Sequence, residues 1–99
     1  MIYIKSELSK ILGKIEELDP ASSLTCDRLY PLIEMAYLLI SDYYEIDQCH
    51  SIIHHLANQM RELEKCRTSP ENIQDQFKHV LAHAQRSTEE ELRIFISHL

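Results

Sequence analysis

A chain of 99 residues has room for one hydrophobic core, and 44% apolar and 26% charged side chains mark a folded single domain over residues 1–99 rather than a disordered chain. One glycine, Gly13, and three prolines cannot turn a series of β-hairpins or build a glycine loop around a phosphate, so an all-β fold and the familiar nucleotide-binding motifs are excluded. Ten Lys and Arg against 16 Asp and Glu give a net charge of −6, which repels a phosphate backbone and excludes nucleic acid as an expected partner.

The first predicted helix covers residues 3–18, where Ile4, Leu8, Ile11, Leu12, Ile15 and Leu18 recur at the three-and-four spacing of one helical face. Asp19-Pro20 ends it, and Ala21 to Thr25 is a polar connection from which Thr25 or a preceding serine can cap the next helix. Pro31 removes a backbone donor, so a short turn is expected at 25–29 and the main second helix from about Tyr30 to Tyr44. A reversal near 45–47 follows, with Asp47 as N-cap of a third helix whose stripe is Cys49, Ile52, Ile53, Leu56, Met60 and Leu63.

Ser69-Pro70-Glu71 reads as another helix start, with the serine capping, the proline in the first turn and the glutamate favourable to the dipole. That fourth helix would reach about residue 85 with Ile73, Phe77, Val80, Leu81 and Ala84 inward. Ser87-Thr88-Glu89-Glu90 fits a capping box, which predicts a fifth helix from 88 to the end with Leu92, Phe95, Ile96 and Leu99 on one face. No helix breaker lies between Gln85 and Thr88, so one continuous rod is the alternative. The pattern is all-α, a small four- or five-helix bundle with short connections.

Two histidine pairs, His50/His54 and His79/His83, have the i, i+4 spacing that sets two imidazoles on one helix face. At least one member of each pair falls about 100° or more from its apolar stripe, and no glutamate completes an H-E-x-x-H motif, so surface histidines rather than a metal site are expected. His54-His55-Leu56-Ala57-Asn58 resembles, at His54 and Leu56, the H-x-L-K-G pattern of histidine phosphotransfer domains, a helical-bundle family of similar length. Ala57 and Asn58 stand where that pattern has lysine and glycine. A phosphotransfer-like or metal-binding bundle is therefore the alternative functional reading.

Cys49 and His50 are adjacent and so point about 100° apart on a helix, which makes Cys49 a core thiol rather than a nucleophile beside its base. Cys66 lies between Lys65 and Arg67, cations that favour the thiolate, but reads as an ordinary helix-end cysteine. Three cysteines without C-x-x-C spacing indicate neither a disulfide framework nor a cysteine zinc site. With no leader-like start and no apolar run long enough to cross a membrane, a cytoplasmic protein without membrane association is expected.

The second helix is the unusual element. Leu29, Leu32, Ile33, Ala36 and Ile40 form one face, while Met35, Leu38 and Leu39 carry apolar surface around the other side. Tyr30, Tyr37, Tyr43 and Tyr44 lie on the same segment, and residues 19–47 hold Asp19, Asp27, Glu34, Asp42, Glu45 and Asp47 against the single cation Arg28. A helix apolar on all sides is either central in its bundle or packed against a second molecule. The expectation is a non-enzymatic, acidic interaction module with no catalytic residues, cofactor or metal. It would bind a protein partner, or a second copy as a homodimer, through Tyr30, Met35, Tyr37, Leu38, Leu39, Asp42 and Tyr44.

Overall fold

A computed structural model describes residues 2–19, 25–44, 50–68 and 78–99. These form four helices, α1 (Ile2–Glu16), α2 (Thr25–Tyr43), α3 (His50–Thr68) and α4 (Lys78–Ser97), with no strand among the described residues. The described residues form an all-α four-helix bundle. Each helix packs on the next in sequence, α2 on α3 most extensively, and α4 closes the ring against both α3 and α1. Tyr3 at the start of α1 meets Tyr43 at the end of α2, ring centroids 6.1 Å apart, so these two helices are antiparallel. Tyr44 stands edge-on to Phe95 at 5.9 Å, which brings the C-terminal ends of α2 and α4 to the same end of the bundle.

The helices are held by burial rather than by local propensity. Ile4, Leu8, Ile11 and Ile15 of α1 and Leu29, Ile33, Ala36 and Ile40 of α2 share a four-three-four spacing, and all are buried. Ile52, Ile53, Leu56 and Leu63 of α3 and Leu81, Ala84 and Leu92 of α4 complete the centre. Burying one leucine or isoleucine contributes about 1.5–3 kcal/mol, whereas the Lys10–Glu7 and Lys65–Glu62 pairs lie on the surface at 3.3 and 3.2 Å and contribute little.

Several boundaries differ from the sequence expectation. Helix α1 stops at Glu16, not 18, because the Leu18 amide donates to the Ile15 carbonyl at 3.1 Å, an i, i+3 closure that ends the α-helical ladder. Helix α2 begins at Thr25 rather than Tyr30 and carries Pro31 inside it. Pro31 is exposed, so its ring interrupts the ladder on the side where water can substitute, while Leu29 and Ile33 on the inner side bury fully.

The segment through Ser87 is continuous helix, so the capping box does not form and the single-rod alternative holds over Lys78–Ser97. Leu81, Ala84, Gln85, Thr88 and Leu92 all bury, and only an unbroken helical path keeps them on one face. Val80, expected inward, is 37% exposed because it lies about 100° round from Leu81. Leu99 is exposed rather than inward. Its amide turns back to the Ile96 carbonyl at 3.1 Å beyond the end of α4, which takes the side chain off the helical face. The expected cap at Asp47, the core thiol Cys49, the helix start at Ser69-Pro70-Glu71, and Ile73 and Phe77 lie outside the described residues.

Candidate functional site

Helical geometry divides the seven candidate residues of α2 into three groups. Its inner face, Leu29, Ile33, Ala36 and Ile40, is fully buried, so residues about 180° away must face outward. Met35 and Leu38 stand there, 50% and 51% exposed, with Pro31 and Asp42 also exposed. Successive members of this set are three or four residues apart, which makes neighbouring side chains contiguous along one stripe. Leu39, half-buried and packed on the core cluster, forms the shoulder of that stripe.

Tyr30 and Tyr37 belong to a different surface. Both are half-buried on the flank of α2 that faces α3, where with Ala57, Met60, Arg61 and Glu64 they line an open groove of about 370 Å³. Tyr44 is half-buried at the end of the bundle, against Phe95. The tyrosines therefore do not join Met35 and Leu38 in one patch. Three of them, Tyr30, Tyr37 and Tyr44, pack against the core cluster, and Tyr43 pairs with Tyr3 across the α1–α2 seam.

The outer stripe carries charge at both ends. Arg28, Met35 and Asp42 are spaced by seven residues, which returns to nearly the same side of a helix, and Arg28 and Asp42 are both exposed. Arg28 entered the sequence reading only as a lone cation within an acidic stretch. Its seven-residue spacing from Met35 and Asp42 was available in the sequence, but gained meaning only once α2 was found to start at Thr25 and to include it.

The described histidines form no metal-binding cluster, and the His50 side chain lies outside what the structure describes. His54, His79 and His83 are exposed, and no group of three or more His, Cys, Asp or Glu side chains is placed to hold a metal ion among the described residues. His55 is half-buried beside α4, and its Nε2 is buried without a hydrogen-bond partner. Burial pushes its pKa below the usual 6.5; Glu91 opposes that shift and His83 adds to it. In the stretch resembling the phosphotransfer pattern, Leu56 is fully buried, Ala57 borders the tyrosine groove, and the Asn58 side chain accepts a bond from Arg61 at 2.7 Å. The Cys66 side chain lies outside what the structure describes.

Two further buried polar groups were missed at the sequence level. Gln85, inside α4, donates from Nε2 to the carbonyls of Ile15 at 3.0 Å and Leu18 at 2.9 Å, closing the C-terminal end of α1. Thr88 is fully buried with its Oγ1 unpartnered. No described helix is long and apolar enough to cross a membrane. Compared with models of protein families, with curated proteins and with solved structures, the chain finds no match.

Proposed function

We propose that the protein acts by stoichiometric binding to another protein surface through the outer face of α2, as an adaptor, inhibitor or small chaperone would, and not by catalysis. One observation carries this reading. Met35 and Leu38 leave half of their surface in water on a helix whose opposite face already fills the core, so that half of their apolar surface is left uncovered in the monomer. Their position between Arg28 and Asp42 gives the stripe an apolar middle and charged ends, the arrangement of a small interface with a polar rim.

Leu38→Asp tests the proposal. A substitution at a half-exposed surface site shifts stability by about 0.5 kcal/mol or less, so helicity and the thermal midpoint are expected to stay near wild type. Capture of partner protein by an immobilised chain should be lost. Unfolding of the variant would show that Leu38 is needed for the bundle itself, and unaltered capture by a folded variant would remove α2 as the binding face.

A further inference from the structure

The charges on the α2 stripe do more than rim an apolar patch. They select an occupant and a register. Arg28 and Asp42 lie 14 residues apart, about 21 Å along the helix at 1.5 Å per residue, too far to pair within one copy. Met35 lies midway between them.

We propose that the outer face of α2 pairs with the same face of a second copy of the chain, antiparallel about a two-fold axis at Met35, so that Arg28 of each copy meets Asp42 of the other. This rests on the reading of α2 as the binding face and names what that face binds.

Two alternative pairings of the same helices fail on charge. A parallel arrangement sets Arg28 against Arg28 and Asp42 against Asp42. An antiparallel arrangement centred on Leu38 sets Asp42 opposite Glu34, again like against like. Centred on Met35, the pairing joins both opposite charges, and it also sets Leu38 beside Pro31 of the second copy, so exposed apolar side chains of the outer face meet one another. A two-fold axis produces each contact twice, as an isologous interface requires.

The geometry also fixes the crossing. Helices that cross at about 20° have separated sideways by only ~4 Å at the level of Arg28 and Asp42, whereas a crossing near 50° separates them by ~9 Å. An extended arginine spans the first with ease, so the shallow crossing is the one that keeps the ion pairs. The exposed stripe is short, which makes the dimer a weak one whose population depends on protein concentration.

Charge reversal supplies the test. Arg28→Asp adds a carboxylate in the first turns of α2, and Asp42→Arg adds a cation at its last turn, both favourable to the helix dipole, so neither should damage the fold. Sedimentation velocity at low salt, across micromolar to millimolar protein, should show a concentration-dependent dimer for the wild type. Each single reversal should weaken it by about tenfold or more, since two contacts per dimer turn from attractive to repulsive, and the double variant R28D/D42R should recover it. A wild type that stays monomeric throughout, or a double variant no more dimeric than the singles, overturns the pairing. If the wild type is monomeric yet Leu38→Asp still abolishes capture of another protein, the second copy is refuted as occupant while the α2 binding face stands.

Discussion

Replacing Gln85 tests how α1 and α4 are joined. Gln85 is almost fully buried, and its Nε2 lies 3.0 Å from the Ile15 carbonyl and 2.9 Å from the Leu18 carbonyl. Two acceptors at that distance require the nitrogen rather than the oxygen of the amide to face them, so the side chain is a cap for the end of α1 supplied from a distant helix. Gln85→Met keeps the length and removes both bonds, together with a long 3.5 Å contact from the same nitrogen to Glu89 Oε1. Neutral hydrogen bonds contribute about 1 kcal/mol each. The Ile15 carbonyl retains the Leu18 amide, and the Leu18 site is only partly buried, so neither acceptor is fully orphaned.

Against that loss, the buried and unpartnered Oε1 of Gln85 disappears, an offset of about 1 kcal/mol. The net cost is about 1 kcal/mol, a fall in thermal midpoint of roughly 4–8 °C for a domain of this size. Gln85→Glu is the sharper perturbation. Its carboxylate directs negative oxygens at two carbonyls in a buried site, costing about 3 kcal/mol or more at neutral pH.

Burial raises the folded-state pKa of that new carboxyl, so the charge-dependent part of the deficit is absent below the unfolded value of about 4.3 and grows as pH rises toward the folded one. Thermal melts followed by circular dichroism at pH 4 and pH 7 separate the cases. A Gln85→Met variant as stable as wild type, or a Gln85→Glu variant whose deficit does not shrink on acidification, would refute the capping role.

Thr88 and His55 give two further expectations. Thr88→Val replaces a fully buried, unpartnered hydroxyl with a methyl of similar size and should stabilise the protein by about 1 kcal/mol, read as a rise in the urea midpoint at unchanged m-value. A drop in that midpoint would mean that the hydroxyl has a partner in solution. His55 has a folded-state pKa below 6.5, so the unfolded chain binds its proton first and stability is lost as pH falls from about 6.5 through the lower folded value. His55→Gln should flatten the stability curve between pH 7 and 5, and Glu91→Gln, which removes the opposing charge, should steepen it. Parallel curves for wild type and His55→Gln would place the acid sensitivity elsewhere.

The helices themselves were legible because their apolar spacing is regular. Ile4, Leu8, Ile11 and Ile15 recur without interruption, as do Ile52, Ile53, Leu56 and Leu63, and all eight bury. Errors arose where a local rule met a tertiary demand. Pro31 signals a helix boundary, yet burial of Leu29 on the same face as Ile33 favours helix on both sides of it. Ser87-Thr88-Glu89-Glu90 has the composition of a cap, yet Thr88 is drawn into the core between Ala84 and Leu92.

The candidate site was legible in part. Encirclement of α2 by apolar residues put Met35 and Leu38 on the side away from Leu29 and Ile33, but left open whether that side faces water and could not separate them from Tyr30, Tyr37 and Tyr44, whose positions depend on where α3 and α4 pack. Gln85 carried no signal at all, because its two acceptors lie about 70 residues away in sequence.

Among the described residues, polarity inside the bundle is concentrated on one helix. Gln85 and Thr88 both project inward from α4, and His55 sits on the neighbouring helix beside α4's Glu91 and His83. The buried side chains described on α1 and α2, by contrast, are all aliphatic. Aliphatic faces resist sliding only through shape, whereas an amide holding two particular carbonyls fixes how far α4 lies along α1. The Arg93–Glu16 pair at 3.5 Å joins the same two helices on the surface.

Gln85 thus sets the register of α4 and adds stability, whereas the unpartnered Thr88 hydroxyl only costs stability, which is why Thr88→Val should gain stability while Gln85→Met loses it. The α2 stripe bears on neither term. Its residues point away from α4, so charge reversal at Arg28 and Asp42 should alter association while moving the monomer's melting curve by no more than the small gain from the helix dipole, and a variant that lost both association and stability would show that the stripe and the core are not independent.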